Sequence, residues 1–436
     1  MAPTVTPFGL GLRGTGSWVD GQMPRNFRDG ILFLYPNGMA PLTAMLAKLK
    51  SSKTDNPKFE WFEQTLPVQG GSFTATDVYE DAAFSDNTWG ATAAAGTLCH
   101  VKVAAAVAQE FRIGHIAMLR DASDVSADIR GKVTDVNLNG ASSRISIRLL
   151  EAATAAKLAA HDYVCVIGNS NPEGGVIPDT ISYDPNALYN YTQIFRTPME
   201  ITRTASLTRL RTGDAKKEMM RQALELHSIE MEKAFWFGLR SLGTGSNGQP
   251  ERTTGGIIKW IQDNASTNCF NFYTDSDYDQ KTWVAAGGGM DWLNESLEQV
   301  FRYGRPEKLA FCGSGALLGI QRLAETFGSI NIIPGQTKWG INVRTWETPF
   351  GTIHLKTHPL FSYNAMDRNR IVLIESENLV ERYITQTKLK KDNGEDVAGW
   401  QAIDGTKQEY LTETGLEIHH AHTFAILDGV GLDNPT

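Results

Sequence analysis

The most regular pattern of apolar and polar positions lies in the segment Gly213–Leu239. Met220, Leu224, Met231 and Phe235 recur there on one helical stripe, and no proline interrupts it. A helix of about 27 residues is roughly 40 Å long at 1.5 Å per residue. This length predicts a spine helix along which a flat subunit is organised.

Shorter elements follow the spine helix. The segments Asp291–Tyr303 and Ala316–Phe327 each carry apolar residues at helical spacing, which predicts two amphipathic helices. Ile341–Trp346 and Thr352–Thr357 flank proline and glycine, which predicts a hairpin.

The C-terminal region continues with strands. Arg370–Ile374 is typical of an apolar strand, and Glu409–Leu427 of two strands broken near Gly415. Helices and strands do not alternate regularly along the chain. The pattern therefore predicts an α+β class with a mixed sheet.

The segment 98–170 differs from its surroundings. Turn signals such as Asn139–Gly140 separate short strand-like segments, and a short alanine-rich helix at about 152–160 precedes the last of them. The predicted strands are residues 98–103, 111–119, 130–138, 143–150 and 163–168. Five short strands and one helix predict a compact β-barrel-like insert.

The flanks of this insert are extended. Residues 190–208 alternate like one long strand, and Phe59–Trp61 is typical of another. If the two pair, the insert lies within a long β-hairpin. A two-stranded hairpin is marginally stable in water, so it would need a neighbouring surface.

The first 58 residues carry few apolar positions apart from Ile31–Tyr35 and a short predicted helix at Pro41–Lys53. They hold seven basic and three acidic residues, a net charge of +4 in a chain of net charge −8. This is either ordinary solvated charge or an arm that lies across acidic neighbours or faces nucleic acid.

Length and composition exclude several classes. A chain of 436 residues exceeds one core and predicts two or three domains. With 41% hydrophobic and 21% charged residues it is not a disordered protein. No apolar run is long enough to span a membrane, and the start lacks a signal peptide, so we expect a cytoplasmic site of synthesis and no membrane association.

Motifs for chemistry are weak. Gly9-x-Gly11-x-x-Gly14 follows no predicted strand, and Gly243-x-Gly245-x-x-Gly248 follows a helix and indicates a flexible loop, so neither supports dinucleotide binding. Asp275-x-Asp277-x-Asp279 lacks the glycine and the closing glutamate of a calcium loop.

Histidines and cysteines give no metal or catalytic signature either. His420 and His422 would share one face of a strand, but no motif supplies the third and fourth ligands that a metal ion would need. The cysteines, which indicate buried small hydrophobes rather than disulfides or zinc ligands, are Cys99, Cys165, Cys269 and Cys312. We expect no catalytic site, no cofactor and no metal.

The order of the elements resembles the major capsid proteins of tailed bacteriophages (Caudoviricetes), with the Hong Kong 97-type fold, in a subfamily that carries a β-domain inserted in its extended loop. The stretches that carry the resemblance are Phe59–Trp61, Asn190–Phe195, Glu218–Phe237, Arg252–Trp260, Thr348–Gly351 and Glu409–Glu417. They extend over most of the chain, from about residue 57 to residue 427.

The resemblance implies a domain organisation. Its parts are an N-terminal arm (1–56), an extended loop (57–97 and 171–208), the inserted β-barrel-like domain (98–170), a peripheral domain (209–260) with the spine helix (213–239), an axial domain (261–369) and C-terminal strands shared by the peripheral and axial domains (370–436).

It also implies a function. The chain would self-assemble into hexamers and pentamers of an icosahedral shell around double-stranded DNA, without sequence-specific binding, in the virion after assembly in the host cytoplasm. Portal, scaffolding and decoration proteins would be partners, and a separate scaffolding protein or an earlier cleavage is implied because no scaffolding segment precedes the arm. Residues assigned to the intersubunit interface are Arg13, Arg25, Arg28, Glu60, Trp61, Arg196, Arg203, Glu218 and Glu225.

Three alternatives remain open at this stage. One is an encapsulin-like compartment shell, which would share the fold. Another is a tail or baseplate protein in which the insert is the working part. The third is an enzyme whose site is assembled from distant residues.

Overall fold

The computed structural model describes residues 41–46, 51–64, 68–87, 92–121, 123–124, 128–175, 178, 180–208, 213–327, 331–338, 341–391 and 405–435, and only the backbone of 331–338, 341–343 and 391. The chain forms two compact units. The main unit comprises Met1–Trp61 and Leu188–Thr436, and the inserted unit comprises Phe62–Ala187. Among the described helices, none has the length and apolarity that crossing a lipid bilayer requires.

The helices are α1 (Pro41–Leu46), α2 (Ala105–Ala108), α3 (Ala155–Ala160), α4 (Arg203–Leu207), α5 (Ala215–Phe237), α6 (Ile257–Asn264), α7 (Gly289–Val300), α8 (Ser314–Phe327) and α9 (Pro359–Tyr363). The first strands are β1 (Ser51–Lys53), β2 (Lys58–Glu63), β3 (Gly70–Ser72), β4 (Val78–Tyr79), β5 (Thr92–Ala93), β6 (Leu98–Val103), β7 (His115–Arg120), β8 (Ile129–Asn137), β9 (Ser143–Leu149), β10 (Ala153–Thr154), β11 (Tyr163–Asn169) and β12 (Asn186–Tyr191). The later strands are β13 (Gln193–Thr202), β14 (Ser241–Thr244), β15 (Pro250–Thr253), β16 (Cys269–Asn271), β17 (Glu307–Cys312), β18 (Asn331–Lys338), β19 (Ile341–Thr348), β20 (Gly351–Thr357), β21 (Ile371–Ile374), β22 (Leu379–Lys391), β23 (Gly405–Ile418) and β24 (Ala425–Asp428).

The inserted unit is built on a seven-stranded sheet of order β3-β11-β7-β8-β9-β6-β4. Alternate side chains of its strands point into one core, which includes Val101, Leu119, Val133 and Ile147. The five strands expected from the sequence are present. Two short edge strands, β3 and β4, lie before residue 98 and carry little periodic signal, and in the described residues they do not pair with each other, so the sheet is open rather than closed by hydrogen bonds into a barrel.

A second seven-stranded sheet, of order β16-β24-β21-β17-β20-β19-β18, lies at the centre of the main unit. Its strand β17 alternates between two cores: Leu309 and Phe311 face one, and Ala310 and Cys312 face the other. Helices α7 and α8 cover the second face, while α6 and the C-terminal half of α5 cover the first. A sheet buried on both faces explains the continuous apolar sequence of Ile371–Ile374.

A four-stranded sheet of order β1-β22-β23-β13 packs against α5. The predicted spine helix is confirmed, and the Asp214 carboxylate caps its start by accepting from the Lys216 amide at 2.9 Å. The predicted stripe is wrong in its first half: Leu224 is 42% exposed, and Ala223 and His227 are buried instead. The His227 ring is buried there because the Thr197 and Thr412 hydroxyls of the sheet lie within hydrogen-bonding distance of its two nitrogens.

Two expectations near the flanks of the insert are wrong. The helix predicted over Pro41–Lys53 does not include its last residues, because residues 51–53 form β1 and pair in parallel with β22. Residues 190–208 are not one strand. The chain passes from β12, which pairs with β2, to β13, which pairs with β23, and then into α4.

Two further corrections concern turns. Strand β23 runs through Gly415 without a break and ends at Ile418, because the missing side chain of Gly415 admits Tyr191 and Phe59. The glycines after α5 lie in an ordered hairpin of β14 and β15 rather than in a flexible loop. Gly415 thus permits close packing, and the glycines after α5 permit a tight turn.

Candidate functional site

Helix α1, the first described segment of the chain, is held by a buried carboxylate. Glu232 on α5 accepts hydrogen bonds from the Leu42 amide at 2.8 Å, the Thr43 amide at 2.7 Å and the Thr43 hydroxyl at 2.5 Å. Leu42, Met45 and Leu46 are at most 1% exposed. Residues 41–46 are therefore part of the fold of their own subunit. Arg13, Arg25 and Arg28 lie outside the described residues.

Glu232 also belongs to a buried polar cluster. His358 Nε2 lies 2.8 Å from Glu232 Oε1 and 2.9 Å from Trp236 Nε1, and all three side chains are fully buried. The His358 Nδ1 atom accepts from the Leu360 amide at 3.2 Å. This cluster joins α5, α1 and the start of α9, and the sequence pattern did not predict it.

Strands β2 and β12 form a two-stranded sheet where the chain leaves and re-enters the main unit. Glu60 is exposed and forms an ion pair with Lys58, and this hydrogen bond raises the pKa of Lys58. Trp61 is 8% exposed and packs on Trp260, with ring centroids 5.3 Å apart. The apolar surface of Trp61 is therefore buried within its own subunit.

The remaining interface candidates lie on β13, α4 and α5. Arg196 forms two hydrogen bonds of 2.8 Å with the Glu409 carboxylate across the sheet. Arg203 begins α4 and is exposed. Arg196 thus pairs with a strand of the sheet, whereas Glu218 and Glu225 pair along α5.

Glu218 and Glu225 are linked by one cation. Arg221 is 2.5 Å from Glu218 and 2.5 Å from Glu225, three and four residues apart along α5. The hydrogen bond from Arg221 lowers the pKa of Glu218. These two ion pairs, at i,i+3 and i,i+4 spacing, stabilise the helix.

The weak motifs for chemistry have structural roles. Among the described residues, no group of three or more histidine, cysteine or acidic side chains could hold a metal ion. Asp275 accepts from Trp292 Nε1 at 3.0 Å. His420 and His422 do not share a strand face, because the strand ends at Ile418 and His420 has a positive φ of 51°.

The four cysteines are free thiols. Cys99 and Cys312 are buried, and burial raises the pKa of each to about 12, so neither thiol is a nucleophile at neutral pH. Cys165 and Cys269 are partly buried. This agrees with the packing role expected from the sequence for Cys99 and Cys312.

One surface was missed by sequence reasoning. On the inserted unit, Lys132 and Arg148 lie directly opposite each other on β8 and β9. Basic residues at alternate positions of several predicted strands, such as Arg130 and Lys132, are the sequence signal that indicates such a face.

Comparisons with known proteins identify relatives over nearly the whole chain. The profile of the SU10 major capsid protein family matches residues 5–431. The major capsid protein of Pseudomonas phage PaMx41 is 24% identical over 420 residues, which cover 93% of this chain and 92% of that protein.

Solved structures with some likeness have low scores. A chain of Mycobacterium phage Bobi has a TM-score of 0.45 and 8% identity, and covers 95% of this chain and 93% of its own. The capsid of an empty GTA particle has a TM-score of 0.45 and 8% identity, with 97% and 99% covered. The SrpI encapsulin of Synechococcus elongatus has a TM-score of 0.38 and 14% identity, with 59% and 78% covered.

The family match spans almost every described element. The chain therefore belongs to the SU10 major capsid protein family: it is an α+β major capsid protein that forms the icosahedral shell of a phage, a structural component of the virion.

Proposed function

We propose that the inserted unit is an elaboration of the extended loop and that it braces contacts between subunits assembled as hexamers and pentamers. One observation carries this proposal. The chain leaves the main unit at Trp61 and returns at Leu188, and the strands at this point, β2 and β12, pair with each other. A separate compact unit on a two-stranded stem is the arrangement expected of a domain inserted in a loop.

The stem and the inserted unit are each stabilised within the subunit. Two isolated strands are marginal in water, but Phe59 and Trp61 of β2 are buried in a core of the main unit. The inserted unit has a core of its own and does not need to borrow one. Its contribution to a shell would therefore be a folded contact surface rather than a segment that folds on binding.

The remaining division of the chain is part of the proposal. Residues 1–56 would form the arm, 57–97 and 171–208 the extended loop, and 98–170 the inserted domain. Residues 209–260 would form the peripheral domain, 261–369 the axial domain, and 370–436 strands shared between them. The two cores on opposite faces of the central sheet support a division into peripheral and axial parts.

The assignment of these residues to a subunit interface is a proposal, and each of them would contribute little free energy to assembly. Arg196, Glu218 and Glu225 are already paired with side chains of their own subunit, and exposed ion pairs contribute about 0–1 kcal/mol each. We propose that these residues, with Glu60 and Arg203, form the rim of subunit contacts. The arm residues Arg13, Arg25 and Arg28 would add positive charge towards acidic neighbours.

Portal, scaffolding and decoration proteins would be partners of such a shell. Packaged double-stranded DNA would face its inner surface without sequence-specific contacts, which the net charge of −8 supports. Strong binding of duplex DNA by isolated capsomers at physiological salt would argue against this part of the proposal.

The test compares the full chain with a variant in which a short Gly/Ser linker replaces residues 68–175. Negative-stain electron microscopy and sedimentation velocity would follow assembly of each. We expect rings or closed shells from the full chain. The deletion variant should fold, because the main unit keeps its cores, but its shells should dissociate at lower urea concentration.

Two outcomes would overturn the proposal. If the full chain remains a monodisperse monomer or dimer, both when expressed alone and when expressed with its neighbouring genes, the proposed self-assembly is wrong. Shells of the deletion variant that resist urea as well as those of the full chain would remove the bracing role. Circular dichroism of both proteins controls for loss of fold.

A further inference from the structure

One face of the sheet in the inserted unit concentrates positive charge. Side chains of adjacent strands that lie opposite each other share a face, and alternate residues of one strand return to it. The residues placed on this face, which we name the basic face, include Lys102, Arg120, Arg130, Lys132, Arg144 and Arg148. The other face is the apolar core.

The margins of the basic face are neutralised within the unit. Four of its cations have acidic neighbours, and the pairs are Lys102–Asp77 at 4.0 Å, Arg120–Asp128 at 3.1 Å, Arg130–Glu151 at 3.3 Å and Arg144–Asp135 at 2.7 Å. The centre differs. Within the described part of the chain, Lys132 and Arg148 have no acidic partner within ion-pair distance.

Lys132 and Arg148 occupy directly opposed positions on neighbouring antiparallel strands. Like charges at such positions destabilise a sheet. The residues next to them in the same row are apolar: Leu98 opposite Arg148, 39% exposed, and Ile116 opposite Lys132. An uncompensated pair of cations between apolar side chains is typical of a surface that an acidic partner covers.

The same unit carries a rigid acidic turn at residues 80–86. The Asp81 carboxylate accepts hydrogen bonds from the Ser85 hydroxyl at 2.6 Å and the Asp86 amide at 2.9 Å, and these bonds lower its pKa to about 2. The Glu80 amide donates to the Asp86 carbonyl at 3.0 Å, which closes the turn. Glu80 and Asp86 are exposed, and no basic residue lies within the turn.

We infer that the basic face, centred on Lys132 and Arg148, binds the acidic turn of the inserted unit of a second copy of this chain. The inference rests on the proposed self-assembly, because a shell supplies the second copy at high local concentration. The turn borders the basic face of its own unit, where Arg144 donates to the Ala82 carbonyl oxygen at 2.9 Å, so two copies can pair reciprocally, each turn on the basic face of the other.

Positive charge in the inserted unit is concentrated on the basic face. Residues 62–187 contain fifteen acidic and eight basic residues, a net charge of −7, and six of the eight basic residues lie on the basic face. Acidic groups that can pair with this face are therefore present on every other copy of the chain.

The experiment compares Arg148→Glu with Lys157→Glu in the full chain. Both variants change one basic residue of the inserted unit to glutamate, but Lys157 lies on α3 and not on the basic face. Arg148→Glu places a carboxylate opposite Lys132, so the unassembled subunit should melt at the wild-type temperature or higher. Its assembled fraction at physiological salt should nevertheless fall roughly tenfold, while Lys157→Glu assembles like the wild type.

A charge exchange completes the test. Glu80→Lys alone should weaken assembly as Arg148→Glu does, and the two changes together should restore it, because every contact then pairs the exchanged charges. A purely structural role for Arg148 would lower the melting temperature of the subunit, and Glu80→Lys would not rescue it.

The outcomes separate this inference from the proposed function. If the wild-type chain forms no rings or shells, the proposed self-assembly fails and this inference fails with it. If the wild type assembles and Arg148→Glu shells are equally abundant and salt-resistant, only this inference fails. Loss of duplex DNA binding in Arg148→Glu, with assembly intact, would reassign the basic face to nucleic acid.

Discussion

Individual buried polar residues connect segments of the main unit that lie far apart in the sequence. Glu232 reaches back 190 residues to the Leu42 amide, and His227 joins Thr197 of β13 to Thr412 of β23. Each of these contacts satisfies groups that would otherwise be buried without partners, at a cost of about 1–3 kcal/mol each. The positions of Glu232 and His227 on α5 therefore determine how α5 packs against α1 and against the four-stranded sheet.

His227 should make stability depend on pH. Its ring is 1% exposed, Nδ1 lies 3.0 Å from Thr197 Oγ1, and Nε2 lies 2.7 Å from Thr412 Oγ1. Burial lowers its pKa below 6.5, although Glu230 opposes this in part. The unfolded chain therefore binds the proton more readily, so the free energy of unfolding should fall as pH decreases below about 6.5.

Urea unfolding of the unassembled chain at pH 7.5, 6.5 and 5.5 would measure this effect. His227→Gln keeps hydrogen-bonding capacity without titrating, and we expect it to lose part of the wild-type pH dependence. His422→Gln, at an exposed position, is the matched control and should behave as the wild type. Identical slopes for His227→Gln and the wild type would contradict a neutral, buried His227.

At the scale of elements, β23 organises the outer sheet of the main unit. It pairs along ten positions with β13 and along most of its length with β22. Gly415 lies in this strand where Tyr191 and Phe59 approach it. A Cβ atom at Gly415 would lie 2.5 Å from the Tyr191 carbonyl oxygen and 3.1 Å from the Phe59 ring.

Gly415→Ala should therefore destabilise the main unit by about 1–3 kcal/mol, because the backbone of β12 must move to admit the methyl group. Gly243→Ala on β14 is the matched control. The nearest atom to a Cβ there is the Glu251 carbonyl oxygen at 3.9 Å, so we expect a change within about 0.5 kcal/mol. Urea unfolding measures both, and equal stabilities for the two variants would refute the close approach at Gly415.

At the scale of the whole molecule, the chain holds two units with separate cores. The inserted unit has its own buried cluster, and the main unit has two clusters that share the central sheet. Since cooperativity follows shared cores, we expect the unassembled chain to unfold in two transitions.

Leu119→Ala and Phe311→Ala would separate these transitions in differential scanning calorimetry. Both side chains are fully buried, Leu119 in the inserted unit and Phe311 in the main unit. Each change should cost about 2–5 kcal/mol and lower the temperature of one transition only. A single transition that shifts with either variant would show that the two units unfold together.

Much of the element structure was determined by local sequence. The spine helix, α7, α8, the hairpin of β19 and β20 and five strands of the insert follow from periodicity and turn residues, because these depend on neighbours along the chain. The α+β class followed from their order, and the family resemblance from their spacing. The family comparison confirmed the resemblance to phage major capsid proteins, while the subfamily with an inserted β-domain stays a prediction.

Other features depend on contacts between distant segments, which no local pattern encodes. Gly415 lies within a strand rather than a break because two aromatic residues approach it, and β1 is a strand only because β22 pairs with it. His227 and Glu232 are buried because partners from other elements satisfy them. Lys132 and Arg148, sixteen residues apart in the sequence, form one surface only when β8 and β9 pair. The sequence by itself thus determined most of the elements and the family that they indicate. The tertiary structure alone decided which polar residues are buried together and which charges share a face, since both depend on the pairing of strands and helices across the chain.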